Sequence, residues 1–212
     1  GINLGAPSPM GDFDSDNYSN DKSGYANGGV AFELNYLYSI NPNFSFGISW
    51  GGQGFIFDES GYQKALNVQL QGFTVQPGTE AYGVGYFYLQ GKYEVGFKNK
   101  FYLNAGFGST SIIVPELTIS AIELNTGDRI SITQEEAISG ALGFTIGAGT
   151  DLYISDLISF NFYLQYIQAN FEVETVIVGQ SSGSSQSLGS LPADYEQPFS
   201  ALTIGFGIGF NF

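Results

Sequence analysis

The residues best placed to do chemistry are aspartates near the start of the chain. The stretch GDFDSDNYSND presents Asp12, Asp14 and Asp16 at alternate positions. Alternate carboxylates supply the hard oxygen ligands that Ca²⁺ prefers. An EF-hand loop needs glycine at its sixth position and glutamate at its twelfth, and this chain has Asn17 and Ser23 there. We therefore expect either a weak Ca²⁺ site at the three aspartates or a solvated acidic loop, and no other metal or cofactor.

Catalytic groups are otherwise scarce. The chain contains no His and no Cys, so a serine nucleophile would lack a histidine base, and thiolate chemistry is excluded. Its 20 acidic residues outnumber six Lys and Arg, which gives a formal net charge of −14. Phosphate binding needs a basic surface. We therefore predict that the protein is not an enzyme and has no nucleic-acid partner.

The elements that hold these residues are strands with two unlike faces. In ALTIGFGIGFNF, residues 201–212, large apolar side chains alternate with small residues and Asn. Such alternation is typical of a strand, but a soluble antiparallel strand would carry charge on its second face. Similar patterns begin near residues 2, 30, 44, 80, 101, 138 and 158. Together they predict eight strands.

The connections between these strands alternate in length. Long connections occupy 8–26, 58–79, 114–135 and 172–198, and short ones occupy 39–43, 96–100 and 153–157. Sixteen of the acidic residues but only three basic residues lie in or beside the long connections. This plan predicts an all-β fold, an eight-stranded antiparallel transmembrane β-barrel with short periplasmic turns and long extracellular loops. Residues 1–212 then form a single domain without a helix of more than two turns, and 117–133 forms a hairpin that extends the fifth and sixth strands.

The small faces are predicted to line the interior, and the large apolar faces to contact lipid. Glu33 is expected to be the one charge inside, bonded to Tyr or Asn neighbours. Either side chains fill the interior beside thirteen glycines, or a narrow cavity remains for an apolar ligand. The expected fillers are Tyr102, Tyr163, Phe87, Gln165 and Asn161, and the glycines are Gly29, Gly47, Gly51, Gly83, Gly85, Gly106, Gly108, Gly143, Gly147, Gly149, Gly205, Gly207 and Gly209.

One strand, within 80–95, has a less regular pattern. Tyr82, Tyr86 and Tyr88 share a face, which we assign to the lipid side together with Trp50. The alternation is lost near Gly91, where we expect a β-bulge.

Several stretches carry a resemblance to a known family: PSPMGDF, YLYSINPNFSFGISW, KFYLNAGFGS, GAGTDLYISDLISFNFYLQY and IGFGIGFNF. They cover most of the chain. They resemble the small eight-stranded outer-membrane barrels of the OmpA-transmembrane, OmpX and OmpW type, and most closely the outer-membrane β-barrel domain proteins common in Bacteroidota. The resemblance implies a bacterial outer-membrane location with both termini in the periplasm. It also implies contact with lipid and lipopolysaccharide, and recognition of the last strand, ending at Phe212, by the barrel assembly machinery.

Three functions remain open from the sequence. The first is a non-enzymatic structural or interaction protein, acting as an accessory subunit of a larger outer-membrane assembly. The second is binding or passage of small apolar molecules through a narrow barrel, as the resemblance to OmpW allows. The third is a surface adhesin that acts through the acidic loops. We favour the first, because the chain lacks a catalytic constellation and a visibly charged pore.

Overall fold

The computed structural model describes residues 1–17, 20, 22–70, 73–97, 99–124, 127–181 and 187–211. All strand pairings in these residues are antiparallel, so the predicted all-β antiparallel fold is confirmed. The elements are β1 (Ile2–Pro9), β2 (Ala26–Asn41), β3 (Phe44–Phe57), α1 (Glu59–Gln69), β4 (Phe73–Thr79), β5 (Tyr82–Val95), β6 (Asn99–Val114), β7 (Leu117–Glu123), β8 (Arg129–Gln134), β9 (Ala137–Tyr153), β10 (Ile158–Ser181) and β11 (Ser187–Phe210).

Eight of these eleven strands form a closed hydrogen-bonded ring. Its order is β1, β2, β3, β5, β6, β9, β10 and β11, and β11 pairs again with β1, from Ile2 opposite Ile208 to Pro9 opposite Ala201. These eight strands correspond to the eight that the alternation predicts. The other three, β4, β7 and β8, lie outside the ring, so the whole fold is larger than the predicted one.

The strands of the ring are staggered along its axis. Paired residues lead from Phe160 on β10 through Ile2 on β1 and Trp50 on β3 to Leu142 on β9. The next residue, Gly143, pairs with Ala169, so the path returns to β10 about ten residues further along. With ordinary strand spacings, this stagger over eight strands tilts them by about 40° to the ring axis. A ring of this size leaves an interior just wide enough for side chains to fill it.

The outward face of the ring is apolar. Trp50 is 56% exposed and Leu142 is 83% exposed, although both are large apolar residues. Along β11, the outward positions from Leu202 to Phe210 are all Leu, Ile or Phe. Ring closure therefore places a row of large apolar residues on the outward face.

Strand β5 corrects one of the sequence-based assignments. Tyr82, Tyr86 and Tyr88 are 6%, 4% and 0% exposed and point into the ring, so their assignment to the lipid side was wrong. Phe87, expected inside, is 47% exposed on the outward face. Both faces of this strand begin with apolar and small residues. Those residues alone therefore do not show which face points into the ring.

The expected β-bulge near Gly91 is also absent from β5. This glycine pairs with Phe46 on one side and Ala105 on the other, in unbroken register. Because the register continues, Gly83 and Gly85 lie on the outward face and were wrongly counted among the interior glycines. The other eleven glycines share the interior parity of their strands.

The three additional strands form a second sheet that continues from the ring. Strand β8 pairs with the outer part of β10, from Ile177 to Ser181, and β7 and β4 follow in order. The hairpin predicted within 117–133 exists as β7 and β8. It does not extend β6 and β9 as expected, but turns aside after Val114 to pair with β10.

Helix α1 contradicts the expectation that no helix exceeds two turns, because it has 11 residues. Its N-cap is Asp58, whose side chain accepts a hydrogen bond from the backbone N–H of Gly61 at 3.0 Å. Leu66 is buried against Val75 of β4 and Ala121 of β7. Helix α1 therefore covers one face of the second sheet.

Candidate functional site

The interior of the ring is layered, and its first layer is charged. We call the end with the short connections the turn end and the opposite end the loop end. Near the turn end, the amine of Lys92 lies 2.7 Å from a carboxylate oxygen of Glu94 and also donates to Asp151. The amine of Lys100 lies 3.1 Å from the other oxygen of Glu94. Glu33 is thus not the one interior charge, as was expected.

The second layer surrounds Glu33, which is 4% exposed. Its carboxylate accepts hydrogen bonds from the amides of Asn3 and Gln165, each at 3.0 Å, and from the hydroxyl of Tyr86 at 3.2 Å. The expected bonds to Tyr and Asn neighbours are confirmed, with an additional glutamine. A buried carboxylate is costly unless hydrogen-bonded, and this one is well supplied with donors.

The glycines of the interior face make room for tyrosine rings. A β-carbon added at Gly149 would lie 2.5 Å from the Cζ atom of Tyr102, and one added at Gly205 would lie equally close to Tyr163. Both tyrosines were among the predicted fillers of the interior. The small face is therefore not evidence of an open lumen, because at these positions a ring from another strand occupies the space of the missing side chain.

The third layer is an aromatic plug towards the loop end. Phe13 follows the first strand, turns inward and is fully buried. Its ring packs edge-on against Phe55 and Tyr82, at centroid distances of 5.2 Å, and against Phe199 at 5.1 Å. Edge-to-face geometry at such distances is the favoured arrangement of aromatic pairs. This plug fills the ring just below the long connections.

Above the plug is a cavity of about 290 Å³, which we call the cup. All four long connections or their adjoining strand ends contribute to its wall, including Tyr25, Tyr62, Leu117 and Tyr195. A size near 300 Å³ is at the lower limit of small-molecule sites, which commonly combine aromatic walls with a few polar groups. The cup is the candidate functional site, although no motif in the sequence points to it.

The polar groups of the cup are held by hydrogen bonds within its wall. The hydroxyl of Tyr82 donates to the carbonyl of Gly24 at 2.8 Å. The side-chain amide of Gln134 donates to the hydroxyl of Tyr195 at 3.3 Å. Burial raises the pKa of Tyr195 above that of an ordinary phenol, so this hydroxyl stays protonated at neutral pH.

The three aspartates of the predicted Ca²⁺ site lie beside the inward turn of Phe13. Asp12 accepts a hydrogen bond from the amide of Asn20 at 2.9 Å, while Asp14 and Asp16 are exposed. Within the described ranges, no three His, Cys, Asp or Glu side chains are grouped so that they could hold a metal ion. The Ca²⁺ site stays a prediction. Phe212, at which the strand expected to be recognised by the barrel assembly machinery ends, lies outside the described residues.

Comparison with known proteins finds similarity to a solved structure but to no family. No family model matches the chain, and no curated protein matches it. Over 100% of its length the chain is similar to 99% of a solved structure, a major outer membrane protein from Thermus thermophilus, with a TM-score of 0.49 and 13% sequence identity. None of the described helices is long and apolar enough to cross a membrane.

Proposed function

We propose that the chain is a non-enzymatic outer-membrane β-barrel in which the eight-stranded ring spans the membrane. The observation that carries this proposal is that the described outward positions of the ring carry no charge from the turn end up to Glu172 and Glu196. The run from Leu202 to Phe210 on β11 has nine residues, and a tilted transmembrane strand needs about 9–11. A tilt of about 40° is also in the range of such barrels. The turn end then lies in the periplasm with both termini, and the loop end lies outside the cell.

The layered interior favours a barrel that is closed to passage. Side chains around Glu33 and the plug around Phe13 occupy successive levels, and Phe55, Ile112 and Ile167 in the plug are 0% exposed. A route for small apolar molecules through the barrel would need these groups to move aside. Passage is therefore the less supported alternative.

What the barrel would carry outside the membrane is a substantial folded structure. Strands β10 and β11 have 24 residues each, more than twice the number that crosses a bilayer. Their outer parts, together with β4, β7, β8 and α1, make a platform with sixteen acidic residues in or beside the connections. We propose that this platform makes the protein an accessory subunit that docks with a larger outer-membrane protein. An adhesin that uses the same acidic surface is the alternative.

Cross-linking in native membranes tests the accessory role. A photo-reactive residue at Val68, 70% exposed on α1, probes the platform, and one at Trp50 probes the outward face of β3. The matched control is Phe160 on β10, four strands away in the ring and 43% exposed. We expect a specific outer-membrane protein to be captured at Val68 or Trp50 but not at the control.

Two results would contradict this role. If neither probe captures a protein and the barrel always purifies alone in mild detergent, a free-standing barrel is the better account. Capture at Val68 of soluble extracellular proteins only would favour the adhesin.

A further inference from the structure

The cup combines three properties that restrict what it can hold. Its described wall residues carry no charge, its aromatic rings lie beside amide and hydroxyl groups, and it is small. We infer that the cup binds one neutral sugar unit of a glycan, and that the remainder of the glycan extends outward through its opening.

The first property concerns charge. None of the 15 described residues that line the cup is Asp, Glu, Lys or Arg, although acidic residues dominate the connections around it. An anionic group would find no cation to pair with, and the surrounding negative field would disfavour its approach. A cationic group would find no carboxylate among the described wall residues. Because an unpaired charge is costly to bury, the cup selects a neutral ligand.

The second property is the presence of aromatic rings beside hydrogen-bonding groups. Tyr62 stands edge-on to Tyr25, with centroids 4.9 Å apart, and to Phe57, with centroids 5.5 Å apart. Amide and hydroxyl groups of Gln134 and Tyr195 supply donors and acceptors in the same wall. A pyranose ring matches this arrangement, since its C–H face packs on the negative face of an aromatic ring while its hydroxyls exchange hydrogen bonds with amides.

The third property is size. A cavity of about 290 Å³ holds roughly ten water-sized groups. One hexose unit is of that size, whereas a longer glycan is not. The cup lies between connections that open to the loop end, so a bound unit would be a terminal residue or a branch. A fully apolar ligand of the same size would leave the amide of Gln134 without a new partner.

Saturation-transfer NMR on the full chain, refolded in detergent without lipopolysaccharide, tests this inference. The probes are the methyl glycosides of glucose, galactose, mannose and N-acetylglucosamine, with glucuronic acid as the charged control. Transfer is expected to at least one neutral glycoside and not to glucuronic acid. Gln134→Ala and Tyr195→Phe should each weaken binding roughly two- to tenfold, because each removes one hydrogen-bonding group. Tyr93→Phe, on the outward face of β5, is the matched control and should leave binding unchanged.

Three results would overturn the inference: no transfer to any neutral glycoside, equal transfer to glucuronic acid, or equal binding by the cup variants and the wild type. Deacylated lipopolysaccharide and a soluble neutral β-glucan form two further arms, which distinguish a ligand in the same membrane from one outside it. The outward extension of the glycan rests on the proposed function, in which the cup faces away from the cell. Binding of the sugar unit in detergent does not depend on that direction, so a failure of the binding and a failure of the proposed function can be recognised separately.

Discussion

At the scale of single residues, the interior is built from complementary pairs of large and small side chains. Tyr102 lies over Gly149 and Tyr163 over Gly205, each ring occupying the space that a β-carbon would need. Glycine weakens a strand, and in a strand it often marks a place where another group approaches closely. At Gly149 and Gly205 that group is a tyrosine from another strand.

Two glycine substitutions test this pairing. Gly149→Ala would place its β-carbon 2.5 Å from Tyr102 and 2.4 Å from the carbonyl oxygen of Phe162. We expect it to lower the free energy of unfolding by about 1–3 kcal/mol, as overpacking does. Gly83→Ala on the outward face meets Ile113 at an ordinary 3.5 Å and should change stability by less than about 0.5 kcal/mol. Urea unfolding in one detergent measures both, and equal effects would refute the pairing.

The aspartates near the start of the chain give a second residue-scale prediction. If Asp12, Asp14 and Asp16 bind Ca²⁺, calorimetry should detect heat of binding that the triple Asn variant loses. The exposed positions of Asp14 and Asp16 favour the alternative of a solvated loop. Absence of heat at millimolar Ca²⁺ would establish that alternative.

The residues of β5 show what the sequence could and could not disclose. Tyr82 and Tyr86 look like lipid-facing aromatics, but they share their parity with Gln90, Lys92 and Glu94. If the alternation continues without a bulge, Lys92 and Glu94 lie on the same face as the tyrosines. Because charged residues are excluded from the lipid side, this face must then point inside. The residues near the start of the strand do not show which face points inward, because both faces there are apolar or small.

At the scale of elements, the main surprise is how much structure the long connections contain. The second of them holds α1 and β4, and its helix is signalled in the sequence by Asp58 at the N-cap and Glu59 in the first turn. Only Leu66 is buried on this helix, so the apolar periodicity is too weak to identify it. The pairing of β8 with β10 has no local signal, since it joins residues more than 40 positions apart.

The N-cap of α1 gives a prediction with a defined pH dependence. Hydrogen bonds from the backbone of Gly61 and the hydroxyl of Ser60 lower the pKa of Asp58. The cap therefore stabilises the folded helix fully above the ordinary carboxyl pKa, and its contribution is lost as the pH falls through the lower folded value. Asp58→Ala should destabilise α1 by about 1 kcal/mol at neutral pH.

Hydrogen exchange of the α1 amides measures this effect. Asp58→Asn keeps an oxygen acceptor, so it should protect the helix better than alanine does and should remove the acid dependence. Wild-type exchange rates in both variants would contradict the assigned cap.

The inward turn that carries Phe13 predicts the electrical behaviour of the barrel. Because aromatic and hydrogen-bonded layers fill successive levels, the pure protein should give no stable conductance in planar bilayers. An open porin in the same bilayer serves as the positive control. Reproducible, long-lived single-channel steps would show that the interior opens and that the plug is not a seal.

At the scale of the whole molecule, the alternation of large apolar and small residues specifies the eight-stranded ring. Pairing between residues distant in the sequence adds the second sheet and the cup. Eight strands with one large apolar and one small face are readable from the sequence, and ring closure follows from their number and antiparallel order. The cup is not readable, because its wall brings together Tyr25, Tyr62, Leu117 and Tyr195 from four distant connections. The charged layer was missed because Lys92 and Asp151 lie near strand ends, where charge is ordinarily assigned to turns.

The central claim is that the ring spans the outer membrane with its loop end outside. The chain has no cysteine, so a single introduced thiol reports its own location. Val68→Cys lies on α1, and Asp156→Cys lies in the exposed turn between β9 and β10. A membrane-impermeant maleimide applied to intact cells should label Val68→Cys, and should label Asp156→Cys only after the outer membrane is permeabilised. Labelling of Asp156→Cys in intact cells, or of neither thiol until the cells are opened, would contradict the account.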